Sequence, residues 1–279
     1  MVGEASVSSK LSFRKRRWVA IVSTVAAVVV FWKLHQIIDD RLAHTAFFSG
    51  GTLLACILIL FVFGLRKRLV MLPLLSVAAW TQIHIYTGLF ALAVYLAHVP
   101  TILANGFFES SLSLLFLAVS ISGLYGIYVS RTAPRKMTAV AGEFRYDQIR
   151  WHRQKIYDRA TDVLRSLDVT LASPVLATYF RDVLQPYFSG GVAFDFLLVP
   201  NSLRRRRLLL GLGELERYLS PEVLPASGEL AALVRKRDEL DLHFALQWKL
   251  RVWLLVHVFL AVMLLIGSFV HVALVVYYI

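Results

Sequence analysis

What this chain can fold into is set first by its apolar runs. Trp18 to Trp32 with its flanks, Phe47 to Leu65, Leu75 to His98, Leu112 to Val129 and Val252 to Ile279 are each near or above the ~20 residues that a helix needs to cross a ~30 Å hydrocarbon core. Water does not reach that core, so a spanning segment must satisfy its backbone groups within itself, which a helix does. Composition points the same way: 58% hydrophobic residues, 17% charged and a mean hydropathy of +0.64 are far from an ordinary soluble domain. The expected fold is all-α, an integral membrane bundle of five transmembrane helices with a mainly helical cytoplasmic insert. Residues 1–17 make a basic N-terminus, 18–130 carry helices one to four, 131–248 form the insert and 249–279 the fifth helix. The first run follows the basic Arg14 to Arg17 segment as the core of a signal peptide would. No small-residue cleavage site comes after it, so an uncleaved anchor is expected.

Charge gives the orientation, because short loops rich in Lys and Arg stay cytoplasmic. Of 30 Lys and Arg, all but Lys33 and Arg41 fall on one face: Lys10 and Arg14 to Arg17, Arg66 to Arg68, the insert with Lys249, and Arg251. The N-terminus and the insert are then cytoplasmic and the C-terminus external, or periplasmic in a bacterial inner membrane. The third and fifth spans both run from inside to outside. A net charge of +12 taken alone would suit nucleic acid, but most of it borders apolar spans, where anionic lipid headgroups are the plainer partner. No nucleic-acid partner is expected. The single cysteine, Cys56, sits in mid-span and excludes an intrachain disulfide, a Cys-based iron–sulfur site and a CxxCH haem attachment.

Within these spans stand four histidines with one spacing: His84 and His98 in the third, His257 and His271 in the fifth. Fourteen residues separate each pair, ~21 Å along a helix, and the two imidazoles differ by only ~40° around its axis. Each helix thus offers two ligands on one face at two depths. Two such parallel helices would hold two haems b, His84 with His257 on the inner iron and His98 with His271 on the outer. A lone histidine in a span is accounted for by an interhelical hydrogen bond or a proton relay. Four at matched depths, in spans otherwise free of ionisable groups, point to ligation. The wide separation of the levels and the lack of nearby carboxylates argue against a compact metal cluster.

Neighbouring residues fit the same reading. Gly88 lies one turn after His84 and Gly267 one turn before His271, where a missing side chain would let a porphyrin approach the backbone. Arg251, with Lys249, stands at the inner mouth of the fifth helix, where a propionate would want a cation, although snorkelling to lipid explains both equally well. Trp80 and Trp253 precede the inner histidines by four residues; an interfacial aromatic belt is at least as good a reason for them. Gly123 and Gly126 read as a helix-packing patch. His35, His44, His152 and His243 are given no role.

The insert reads as helices over Tyr146 to Leu167, from Ser173-Pro174 toward Tyr187, and from an Asn201 cap through Arg204 to Arg207. Ser189-Gly190-Gly191 is a break, and Val192 to Val199 is a short apolar run, either a strand or a dip to the bilayer. From Ser227-Gly228 the helical pattern runs unbroken into the fifth span. There is no GxGxxG or GxxxxGK[ST] pattern, so no nicotinamide, flavin or nucleotide domain is argued. The Arg204 to Arg207 run is most simply a lipid-facing surface, ahead of a docking patch for an acidic redox partner.

With the histidines placed, spans one to five resemble the ferric reductase and NADPH oxidase transmembrane family, and more loosely the cytochrome b of respiratory complexes. The resemblance implies two b haems held by the third and fifth helices, on His84, His98, His257 and His271. The chain ends at Ile279 without that family's sixth helix or its flavin and NADPH domains, and 131–248 is an addition. Electrons would come from a separate donor protein or a quinone and pass to a separate acceptor; an oligomer is left open. Two rivals stand beside the electron carrier. One is an oxidoreductase subunit that reduces a metal ion or oxygen or exchanges with quinone near Tyr86, Asn105, Tyr277 or Tyr278. The other is a haem-free sensor or scaffold acting through the insert.

Overall fold

The computed structural model describes residues 4–41, 45–65, 77–138, 144–167 and 174–278. His44, the Arg66 to Arg68 cluster, Leu75, Ser173 and Ile279 lie outside the described residues. All regular structure among them is helical: α1 Glu4–Asp40, α2 Thr45–Leu65, α3 Val77–His98, α4 Phe107–Thr138, α5 Tyr146–Arg165, α6 Pro174–Tyr179, α7 Gln185–Ser189, α8 Phe194–Leu198, α9 Leu203–Leu215 and α10 Leu224–Tyr278. A π-helical turn, Phe180–Leu184, joins α6 to α7, and a 3-10 turn, Glu216–Tyr218, follows α9. The chain divides into two compact units, Met1–Gly126 with Leu254–Ile279, and Ile127–Trp253.

The first unit is built from α1, α2, α3, the beginning of α4 and the end of α10. Among the described residues, four helices are long and apolar enough to cross a membrane: α1 over Arg17–Asp40, α2 over Thr45–Val62, α4 and α10. α3 is not among them, although it has 22 residues. Gln82, His84 and His98 lower its hydropathy, and such groups are costly in hydrocarbon unless they have work to do. α3 packs closely on α2 and α1. Its buried face contributes Ala91, Val94 and Tyr95, with the Tyr95 ring stacked on Phe116 at 4.4 Å. Cys56, Ile57 and Leu264 complete this cluster. Cys56 is thus a small core residue. The outward faces are apolar as well, with Val22, Ile59, Ile121 and Phe259 all exposed, as a lipid-facing surface requires.

In the second unit α5 is amphipathic, and Ile149, Ile156, Ala160 and Val163 bury one stripe. They meet Leu184 and Phe188, Leu208 and Leu212 from α9, and Leu230 and Val234 from α10. The π turn has a local cause: Pro186 cannot donate to a carbonyl one turn back and its ring crowds that carbonyl, which the wider turn relieves. The Ser189-Gly190-Gly191 break leaves carbonyls without helical partners. Arg237, 2% exposed, closes it from α10 by donating to the carbonyls of Phe188 (2.9 Å) and Gly190 (2.7 Å). Arg153 donates to the Gly190 carbonyl as well, at 2.6 Å, and both guanidiniums reach Asp241 at 3.2 Å. Burial still pushes the Asp241 carboxyl above the usual carboxylate range, against the pull of Arg237 and Arg153.

Three expectations for the insert change. Val192 to Val199 is no strand: Phe194–Leu198 is a short helix. Ser202, not Asn201, is the N-cap of α9; Asn201 stands one residue before it, and its Oδ1 accepts from the Leu203 N–H at 3.1 Å. The Arg204 to Arg207 run is not one lipid-facing surface, because Arg205 pairs with Asp238 at 3.0 Å and Arg204 lies over the Tyr187 ring, which leaves Arg206 and Arg207 exposed. α10 begins three residues before Ser227 and runs without a break to Tyr278.

Candidate functional site

His84 on α3 and His257 on α10 meet within the first unit, their ring centroids 6.4 Å apart and their planes at 70°. A metal–imidazole bond is ~2.0 Å, and the ring centre lies ~1.1 Å behind the nitrogen, so a metal held between two opposed imidazoles sets their centres ~6 Å apart. The observed separation matches that value. On α10 the residues around His257, Leu254 to Val256 and Val258 to Phe259, are exposed while His257 itself is half-buried, so it lies on the inward face.

Each histidine level has one imidazole seated by a Ser-Gly step on a neighbouring helix. His257 Nδ1 is 3.2 Å from the Ser122 hydroxyl of α4, and a Cβ added at Gly123 would lie 3.6 Å from its Cε1. His98 Nδ1 is 3.0 Å from the Ser49 hydroxyl of α2, and a Cβ at Gly50 would come within 3.0 Å of its Cε1. Ser49 is 1% exposed, and its hydroxyl lies 3.0 and 3.3 Å from the Thr45 and Ala46 carbonyls, either of which can take its one proton. With the proton there, its oxygen accepts from His98 Nδ1–H, the tautomer that leaves the Nε2 lone pair available for a metal. His98 is also within electrostatic range of His271, whose ring stacks on Phe108 at 6.3 Å.

Between the two levels the wall is apolar. Ala91 is seven residues from both His84 and His98, and Leu264 seven from both His257 and His271, on the same faces. Both are buried in one cluster. Among the described residues no three of His, Cys, Asp and Glu converge to hold a metal ion. Paired imidazoles without further ligands suit a metal whose other positions are filled by a macrocycle, as in haem. The residues present fit that group.

The other candidate residues fall differently. A Cβ at Gly88 would meet nothing within 4 Å, so that face of α3 has room beside it. A Cβ at Gly267 would run into a Leu112 methyl, so this glycine serves the approach of α4 to α10. Arg251 belongs to the second unit and lies over the Tyr146 ring at 3.9 Å. Ser49, Gly50 and Ser122 were missed in the sequence, and Gly123 was read as packing. The signal was a repeated Ser-Gly step on the inward faces of two spans.

Compared with protein-family models, with curated proteins and with solved structures, the chain matches none. Its fold and candidate site define a class only, an all-helical protein among the described residues, with apolar helices of membrane-spanning length and histidines of two helices brought together.

Proposed function

We propose that this chain is a di-haem b-type membrane cytochrome that carries electrons across the bilayer between separate redox partners. The observation that carries the reading is the His84–His257 pair, two imidazoles from different helices at ligand-to-ligand distance, with His257 held through Nδ1 by Ser122. In this reading α3 is a fifth span, and the cost of its polar groups is offset by ligation. The N-terminus and the insert are cytoplasmic, the C-terminus is external, and the charge asymmetry supports that orientation. The resemblance to the ferric reductase and NADPH oxidase transmembrane family is part of the proposal.

Haem b, when bound, supplies a one-electron iron couple. The chain supplies the rest. His84 and His257 ligate at the inner level, His98 and His271 at the outer. Ser49 and Ser122 fix ring orientation. Ala91, Leu264, Cys56 and Phe116 keep water out of the layer between, which holds the dielectric low and the potentials apart from solvent.

The visible spectrum of detergent-purified protein, oxidised and dithionite-reduced, with a pyridine haemochrome count, tests this directly. Two haems b per chain are expected, falling toward one in His84→Ala or His98→Ala. Haem-replete protein without b-type bands would sink the proposal.

A further inference from the structure

In the second unit, α8 contributes no buried residue to the core and backs on to a cavity of about 290 Å3 lined by Tyr187, Phe196, Asn201, Arg204, Asp238 and Asp241. Its outer face is apolar: Phe194 is 66% and Leu198 49% exposed, one turn apart on the same side, and Val199 follows at 68%. Single exposed apolar side chains are ordinary, but a contiguous set on a helix without a core role marks a contact surface.

The position of this face says what meets it. The Phe194 ring lies against Trp248 of α10, centroids 6.4 Å apart. Trp248 is ~6 Å of helix rise before Val252, where α10 becomes apolar and stays so to Tyr278. Cations flank this boundary: Lys249 and Arg251 on α10, and Arg135 and Lys136 in the last turn of α4, which packs through Val129 and Ala133 on Leu246 and brings Lys136 within electrostatic range of Lys249. Aromatic rings beside Lys and Arg, at the place where a helix turns apolar, are what a membrane–water boundary selects. α9, by contrast, leaves this level, since Arg205 is paired with Asp238, ~15 Å further from the boundary along α10.

We propose that α8 is an interfacial foot, with Phe194 and Leu198 inserted among the headgroups and upper acyl chains of the leaflet from which α10 emerges, while Lys249, Arg251, Arg135 and Lys136 meet anionic lipid phosphate. The occupant of the apolar face is the bilayer itself. An element of this kind lies in the interface plane, ~5–10 Å into the boundary. Trp248, ~6 Å of rise on the aqueous side of Val252, and the Phe194 ring against it stand at headgroup level, from which the apolar face reaches the acyl chains. The foot stands whether or not the histidines hold haem.

The test uses the full chain with Cys56→Ala, carrying Leu198→Cys or Val199→Cys, each labelled with bimane and reconstituted in phosphatidylcholine–phosphatidylserine vesicles. Leu210→Cys on α9, 68% exposed, is the aqueous reference. Nitroxide-bearing lipid is expected to quench the labels at 198 and 199 several-fold more than the label at 210, and aqueous iodide to do the reverse. Iodide quenching at 198 and 199 without lipid quenching overturns the proposal. Protection from both quenchers overturns it too, because the face is then covered by protein, in this chain or a second copy. The two positions are read separately, so a folding defect at one leaves the other decisive.

Discussion

A serine hydroxyl has one proton, and at Ser49 two helix carbonyls, those of Thr45 and Ala46, stand within reach of it. With the proton there, the hydrogen bond to His98 runs from imidazole to serine, and in the proposed cytochrome an imidazole that donates through Nδ1 is a better electron donor through Nε2. Such a ligand favours the oxidised metal. In Ser49→Ala we expect two haems to remain while one midpoint potential rises, by up to roughly 40 mV, the ~1 kcal/mol of one hydrogen bond carried into a one-electron couple. Ser49→Thr keeps the hydroxyl and should keep the potential. Redox titration followed by visible absorbance reads both variants. A fall in haem content with no shift in the remaining potential would mean that Ser49 only packs, and the argument from its proton would fail. The four histidines were legible from spacing alone because two helical positions 14 residues apart must share a face. Ser49 and Ser122 were not, because serine in a membrane helix commonly bonds its own preceding carbonyl and nothing in the chain says which one also reaches another helix.

At the scale of elements, the long apolar and amphipathic segments were readable and the short ones were not. α2, α5 and α10 lie close to where periodicity puts them, since each commits one face or a whole surface to an apolar neighbourhood over many turns. α8 has only five residues, and a run as short as Phe194–Leu198 fits strand and helix equally well until its neighbours are known. The Arg235 to Glu239 stretch is charged at every position, yet Arg237 turns inward. Its role depends on carbonyls 49 and 47 residues away, those of Phe188 and Gly190, which no local pattern announces. Arg237 makes a sharp contrast with an exposed pair between α5 and α10, Arg159 with Glu229. Arg237→Ala leaves Asp241 buried with one guanidinium fewer and should cost about 3–5 kcal/mol of stability. Arg159→Ala breaks a pair whose side chains are 60% and 39% exposed, and should cost less than about 1 kcal/mol. Thermal unfolding of the two variants, followed by tryptophan fluorescence, separates them. Equal losses would show that the break after α7 is not held by Arg237.

Across the whole molecule, charge and apolar length act together. A bilayer sorts the loops of a helical chain by their Lys and Arg, and in the proposed five-span topology only Lys33 and Arg41 of the 30 fall outside the face that carries the insert. The sorting is strongest where the cations border the spans, as Arg131, Arg135, Lys249 and Arg251 do here. The short connection between α3 and α4, with Ile102 at φ 66° and Gly106 at φ 98° and its carbonyls tied to Tyr95 and Ser110, carries no Lys or Arg at all. It should therefore face outward, level with the outer histidines. In a Cys56→Ala background, Asn105→Cys in that connection is expected to react with a membrane-impermeant maleimide on intact cells. Glu216→Cys, after α9, should react only once the membrane is opened. The reverse pattern would invert the molecule. It would bring His98 and His271 to the cytoplasmic face and make them, rather than His84 and His257, the pair that meets a cytoplasmic donor.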